Sequence, residues 1–404
     1  MRSANARTGW LPCLLLVTFV AGTDNFVMAG ILPAIARDLA VSEAAAGQVV
    51  SVFSIAYALA APVAAAATAR LDRRTLLSSG LAVFALFNAI AALAPSYAAL
   101  MVARVLAAVV AASMTPAAFA AAAVLARPDR VGRAIGTVAS GMTVALVAGV
   151  PLGTWLGAAS GWRSTFWFVA GLAAVGCVAV LVFLPALPEI GRVRLARRIR
   201  LLAAPPVLLA VVATAVAATG SFMTYTYVAP IARDLAGAGA EAVALIIACV
   251  GIAGALGTVL GGRATDRWGA GRTLLLTTAL QVGATGVLAV AGLLSGSAPL
   301  LLIALGYAVW GLAGWAFNPP MNVRLLGLAG DAGTEAVALN TSALFVGIAV
   351  AGAAGGVVLD AGGVPAVLMA ATAIGSVALV LLAVSVIRHR PRADLAPVGE
   401  DRTG

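Results

Sequence analysis

The chain has 404 residues, of which 62% are hydrophobic and only 10% charged, with a mean hydropathy of +1.07. Soluble domains are nearer half apolar and a quarter charged, so a water-soluble globular fold is excluded and the composition suits a bilayer. The net charge of +10 comes from 25 arginines and no lysine, and these lie in short clusters between apolar runs; they form no basic face or stripe, which excludes a nucleic-acid partner.

Apolar stretches recur from Trp10 to Val386, each of about 20 residues and so long enough to cross a hydrocarbon core about 30 Å thick as a helix. In chain order they predict twelve spans, at 10–34, 45–68, 75–95, 98–125, 133–158, 163–185, 205–231, 241–262, 273–294, 298–322, 334–359 and 364–387. Arg2 and Arg7 precede the first run as they would in a signal peptide. That run is too long for one and no small-residue cleavage site stands out, so it reads as a span.

With twelve spans the arginines fall in alternate breaks: Arg70, Arg73 and Arg74; Arg127, Arg130 and Arg133; Arg192, Arg194, Arg197, Arg198 and Arg200; Arg263, Arg267 and Arg272; Arg324; and both tails. The opposite breaks hold only Arg37, Arg163 and Arg233. This bias predicts that both termini are cytoplasmic. Cys13, Cys177 and Cys249 all fall within apolar spans and read as small packing residues, with neither a disulfide framework nor a metal site. His389, the only histidine, lies in the polar tail. There is no Gly-rich phosphate loop and no cluster of metal ligands, so no cofactor and no ATP-driven transport are expected.

The hexapeptide IARDLA occurs at Ile35–Ala40, closing span 1, and again at Ile231–Ala236, closing span 7. Asp72-Arg73 after span 2 is echoed by Asp266-Arg267 after span 8, and the Gly-rich end of span 5 by that of span 11. A six-helix unit therefore appears twice in the same orientation, as parallel repeats do in secondary transporters. The expected organisation is a six-helix bundle at 1–185, a basic cytoplasmic linker at 186–204, a second bundle at 205–390 and a polar tail at 391–404. The linker's GRVRLARRIR run reads either as a solvated loop or as an amphipathic helix on anionic lipid.

A charge within hydrocarbon is costly and usually faces a cavity or a partner. Two ionisable residues lie well inside spans, Asp24 in span 1 and Arg104 in span 4. Counting about 1.5 Å per residue from the predicted outer ends puts Asp24 roughly 13 Å and Arg104 roughly 10 Å deep, at similar levels. If both line a central cavity they can pair. Burial disfavours a charged Asp24 and a neighbouring arginine favours it, so its protonation depends on whether the cavity is open, closed or filled. The alternative role is a static pair holding helices together. Polar and aromatic residues that suit the rest of a pocket are Asn25, Met28, Tyr57, Ser113 and Met142 in the first half, and Phe222, Tyr225, Trp310, Trp315, Phe317, Asn318 and Asn340 in the second. Each also fits helix packing or an interfacial belt.

These motifs resemble the major facilitator superfamily, in particular its twelve-helix drug:proton antiporter branch, over nearly all the spans. Thr23–Leu39 resembles that branch's first-helix signature, in which an acidic residue sits where Asp24 does. Ala45–Pro62 resembles its second helix, and LMVARVLAA puts Arg104 on the family's fourth-helix arginine, although alanines replace the Gln and Gly that often follow it. GVPLGTWLG, with Gly149, Pro151 and Gly153, resembles the fifth-helix motif of antiporters. The stretch from Gly161 to Phe168 resembles the start of the sixth helix. LDRRTLL retains Asp72 and Arg73 of the family's gating loop without its glycines, and the loop with Asp266 and Arg267 is closer to the pattern. The resemblance implies an all-α major facilitator fold in a bacterial inner membrane. It also implies a proton-coupled efflux antiporter working by alternating access as a functional monomer, not an enzyme, with protons and a small amphipathic molecule as its partners. By the same resemblance Asp24 carries the proton, Arg104 modulates it, and Asp72, Arg73, Asp266 and Arg267 brace the gating loops. The other readings are a proton-coupled sugar or metabolite importer of the same fold, and a non-transporting receptor or scaffold.

Overall fold

Hydrocarbon offers no water to satisfy backbone N–H and C=O groups, so an apolar run must close its hydrogen bonds within itself as a helix. A computed structural model of the chain describes residues 9–68, 71–127, 130–185, 187, 201, 203–294 and 298–389. The arginine run at 192–200 and the tail at 391–404 lie outside the described residues, as do Arg2, Arg7 and Arg70.

The first six crossings are α1 (Trp10–Asp38), α2 (Glu43–Ala67), α3 (Arg73–Ala92), α4 (Tyr97–Leu125), α5 (Val131–Ser160) and α6 (Trp162–Phe183). The second six are α7 (Pro205–Thr226, continued by Val228–Ala236), α8 (Ala240–Trp268), α9 (Ala270–Leu293), α10 (Leu300–Ala329), and a last helical stretch, Gly333–Arg388. Eleven of these helices are long and apolar enough to cross a membrane. The last divides at Gly363, whose φ of 67° and ψ of −167° are open to glycine and strained for other residues. It thus holds α11 (333–362) and α12 (364–388), making twelve crossings among the described residues, as predicted.

Two helices outrun their apolar cores. The eighth continues to Trp268, so Asp266 and Arg267 sit on its exposed last turn and not in a loop. The tenth continues to Ala329, and Arg324, expected in a cytoplasmic break, is a helix residue only 2% exposed. Its Nη2 donates to Ser385 O (2.5 Å), Ser385 Oγ (3.0 Å) and His389 O (2.9 Å). The guanidinium thereby adds donors at the C-terminal end of α12, where the Ser385 carbonyl also accepts from His389 N at 3.0 Å.

Three crossings bend where proline removes a backbone donor. In α5 the turn Ala145–Gly149 widens to a π-helix just before Pro151. The break in α7 falls at Tyr227, before Pro230, and α10 is interrupted at Phe317, before Pro319 and Pro320. Between helices, small residues bring backbones close, as membrane packing favours. A Cβ on Gly153 would lie 2.7 Å from Val27, and one on Gly22 3.0 Å from Ala145, so α5 lies directly against α1. Across the two halves, a Cβ on Gly251 of α8 would lie 2.8 Å from Val147 N on α5, and one on Gly356 of α11 would lie 2.9 Å from Ala44 O on α2. These two seams, α5 with α8 and α2 with α11, hold the halves together. Large apolar side chains such as Leu59, Val102, Leu245 and Leu301 stay exposed on the rim, on the face that lipid covers.

Candidate functional site

Asp24 of α1 and Arg104 of α4 meet. Arg104 Nη1 donates to Asp24 Oδ1 and Oδ2, both at 2.8 Å, and the side chains are 0% and 1% exposed. The pair has a dry, mostly apolar surround. Arg104 lies over the Phe53 ring of α2 at 4.2 Å and near Phe166 of α6 at 5.8 Å, contacts that suit a desolvated cation. Asn88 of α3 stands beside the carboxylate while its amide donates to Phe84 O at 3.0 Å. Arg104 Nε and Asn88 Oδ1 are buried without protein partners. Mutual attraction offsets the desolvation of two ions, and removing either would leave a bare buried charge.

The fifth-helix motif explains the setting. Gly149 packs on Thr23 and Phe19, Gly153 on Val27, and Gly157 on Ile31, so the residues next to Asp24 are walled by the bent part of α5. Pro151 and the π turn aim that helix along α1.

A second group lies where the halves face one another. Phe26 of α1 stacks on Phe222 of α7 (centroids 6.2 Å apart) and meets Tyr225 and Trp315 edge-on at 6.1 and 5.9 Å. Tyr225 stacks on Trp310 at 5.8 Å and donates to Phe26 O at 3.2 Å. Beside this cluster a cavity of about 10 Å³, room for one water, is lined by Asn25, Phe26, Ala29, Val50, Phe222, Tyr225, Thr226 and Ile348. Three of the predicted lining residues, Asn25, Phe222 and Tyr225, therefore share one small space between the halves. Tyr57 is not among the lining residues and stacks on Phe345 of α11 with centroids 3.9 Å apart.

On the side expected to be outer, cross-half contacts are dense. Arg233 grips Glu43 with two bonds, of 2.7 and 3.0 Å. Tyr227, held by donating to Gly352 O of its own half at 2.7 Å, reaches across to α2, where its Cζ would lie 2.8 Å from a Cβ on Gly47. The two IARDLA copies take different partners. In the first, Arg37 Nε donates to its own helix at Pro33 O (3.3 Å), and Asp38 accepts from Trp162 Nε1 (3.0 Å) and pairs with Arg163. In the second, Arg233 crosses to the other half.

Trp310 and Trp315, also predicted, belong to the aromatic cluster between the halves, with centroids 6.1 Å apart. Other predicted residues are placed apart. Met28 is core, 2% exposed. Ser113 Oγ donates to Val110 O on its own helix, while Met142 packs against Gly22. Phe317 joins a separate apolar cluster with Met321 and Leu325. Asn318 is exposed, and Asn340, on α11, is buried with no partner for Oδ1.

Among the gating-loop residues, Asp72 works within its own half. Its Oδ2 caps α3 by accepting from Thr75 N (3.0 Å), and its Oδ1 accepts from Leu187 N (2.7 Å). Burial opposes its charge, but the N–H groups of Leu187 and Thr75, with the Thr75 hydroxyl, hold the carboxyl below the usual carboxylate range. A depressed carboxylate adds stability above its unfolded pKa, and that stability is lost as pH falls through the folded value. Asp72→Ala is accordingly expected to cost about 1 kcal/mol at pH 7, the usual worth of a cap. In thermal unfolding of detergent-solubilised protein, the difference should shrink in acid, where the wild type loses the same charge.

Phe53, Asn88, Phe166, Tyr227 and Phe345 were not picked out from the sequence. Asn88 had a signal, as the one polar residue in FALFNAIAALA. The phenylalanines had none, because a phenylalanine against a cation and one against lipid read alike.

Comparison with known proteins agrees with this architecture. The profile of the Major Facilitator Superfamily matches residues 14–334. The chain is 34% identical to a chloramphenicol resistance protein of Streptomyces lividans, covering 84% of this chain and 86% of that one. It is 30% identical to the chloramphenicol efflux pump Rv0191 of Mycobacterium tuberculosis (strain ATCC 25618 / H37Rv), covering 89% of each. In fold it is similar to a mutant of the nucleoside transporter NupG, with a TM-score of 0.79 at 12% identity over 95% of this chain and all of that one. With its twelve crossings and a profile match over most of its length, the chain is a multi-pass membrane transporter that belongs to the Major Facilitator Superfamily.

Proposed function

We propose that the protein is a proton-coupled exporter of small amphipathic molecules, exchanging them for protons by alternating access, with both termini in the cytoplasm. The observation that carries this reading is the buried Asp24–Arg104 pair, a titratable carboxylate held beside a permanent cation next to the interface between the halves. Ionised, the pair is neutral overall; protonation of Asp24 leaves a net positive charge in a dry surround. That difference must be offset by rearrangement or by access to water, which ties the proton to the conformational cycle. Similarity to a chloramphenicol efflux pump supports the outward direction for the substrate. The aromatic cluster and Asn25 supply apolar area with a few polar contacts, as amphipathic ligands need. The working unit is a monomer, because both halves of the site come from one chain.

Exchange of one proton for one uncharged molecule moves one charge per cycle, so a 100 mV potential adds about 2.3 kcal/mol to the drive. The test is a panel of chloramphenicol, lipophilic drugs, purines and sugars in proteoliposomes with an imposed pH gradient. The proposal expects a drug-like compound to move against inward proton flow. Sugar uptake with the proton flow would mean an importer, and a panel in which nothing moves would contradict export of this class.

A further inference from the structure

Five side chains form a continuous line from the charged pair to the opposite half of the molecule. Arg104 bonds Asp24 and rests on the Phe53 ring at 4.2 Å; Phe53 stacks with Tyr57 one helical turn along α2 (centroids 6.4 Å, 26° between planes); and Tyr57 stacks on Phe345 of α11 (3.9 Å, 20°). Phe53, Tyr57 and Phe345 are each at most 6% exposed. The last contact lies on one of the two seams along which the halves touch, the one where the backbones of α2 and α11 approach at Gly356 and Ala44.

We propose that the Phe53–Tyr57–Phe345 stack is the coupling element, passing the state of the Asp24–Arg104 pair to the second half of the protein. This rests on Asp24 being the proton carrier. A proton taken up by Asp24 turns one carboxylate oxygen into a hydroxyl donor, and Arg104 Nη1, which bonds both oxygens, loses its charge-assisted partner there. The guanidinium cannot turn to water at 1% exposure, and its Nε has no protein partner to strengthen. What remains are two aromatic faces, Phe53 in contact at 4.2 Å and Phe166 farther off at 5.8 Å, and the nearer one attracts a desolvated cation more strongly. Closer seating of Arg104 on Phe53 shifts the ring, and packed rings have little slack, so Tyr57 and its contact with Phe345 move with it. Phe53, Tyr57 and Phe345 are positioning residues in this scheme. Tyr57, a candidate for the substrate pocket on sequence grounds, is given a different task.

The test needs no substrate. Spin labels at Leu93 and Leu294, both strongly exposed at the ends of α3 and α9, report the separation of the halves in nanodiscs, in a background with Cys13, Cys177 and Cys249 changed to serine. The wild type is expected to change its ratio of short to long distances at least threefold between pH 5 and pH 8. Asp24→Asn should be insensitive to pH. Phe345→Leu, which keeps apolar bulk and loses the ring, should lose most of the pH response, and Phe345→Tyr should retain it, which separates loss of the ring from damage to the fold. If Phe345→Leu responds like the wild type while Asp24→Asn is insensitive, the coupling stack is refuted and the proton site stands. A wild type without a pH response, or an Asp24→Asn that keeps one, overturns the proton site and the stack with it.

Discussion

Arg104→Leu is expected to lower stability by about 3 to 5 kcal/mol at neutral pH and to abolish coupled transport, because it leaves Asp24 buried without its cation, to be carried as a bare charge or neutralised by a proton. Both carboxylate oxygens take their arginine bonds from the one Nη1 atom, and Asn88 is the other polar side chain beside them. A buried pair replaced as a whole behaves differently from a pair broken in half, since apolar residues of similar volume often cost nothing. The double variant Asp24→Leu/Arg104→Leu should therefore regain most of the lost stability and none of the proton-driven transport. Thermal unfolding of the two single variants and the double variant in detergent, with transport measured on each, gives the coupling energy directly. A static structural pair would show the same recovery in stability together with retained transport.

The second large effect concerns the seam between α5 and α8. On Gly251 a side chain would begin 2.8 Å from the backbone nitrogen of Val147, inside the π turn of α5, where neither helix can yield by turning a rotamer. Gly251→Leu is expected to cost about 1 to 3 kcal/mol by overpacking and to reduce transport at least tenfold by holding the halves apart. Gly262, nearly two turns from the end of the same helix, meets nothing within 4 Å. Gly262→Leu should leave transport unchanged and stability equal or slightly higher, since leucine is the better helix former. Transport by the purified variants and their melting temperatures check the contrast; equal behaviour of the two would mean that the seam does not limit the cycle.

Much of this molecule was legible from its sequence because hydrocarbon imposes a coarse rule. Twenty apolar residues must be a helix, and Asp24 and Arg104 stood out as charges where charge is costly. Their similar depth made pairing possible, provided both spans face a common cavity. Less legible was anything decided by which way a side chain faces. Phe317 and Trp310 looked alike as aromatic candidates, yet one sits in a satellite cluster and the other in the central one. Arg324 looked like a topological marker, and the sequence did not show that it is buried against the end of α12, donating to Ser385 and His389. Asp72 resembles a gating-loop residue, and the sequence does not show that its carboxylate accepts from Thr75 and Leu187. The Gly-rich ends of spans 5 and 11 were legible as motifs, but Gly251 escaped notice, because a glycine against lipid and a glycine against a backbone are written with the same letter.

The central claim, that Asp24 couples proton entry to export, is tested most directly in inside-out vesicles acidified within, using whichever panel compound the wild type moves. Wild-type vesicles should concentrate the compound above its external level, Asp24→Glu should do so with a displaced pH profile, and Asp24→Asn should only let it equilibrate. Accumulation by Asp24→Asn equal to that of the wild type, with the same dependence on the proton gradient, would contradict the account.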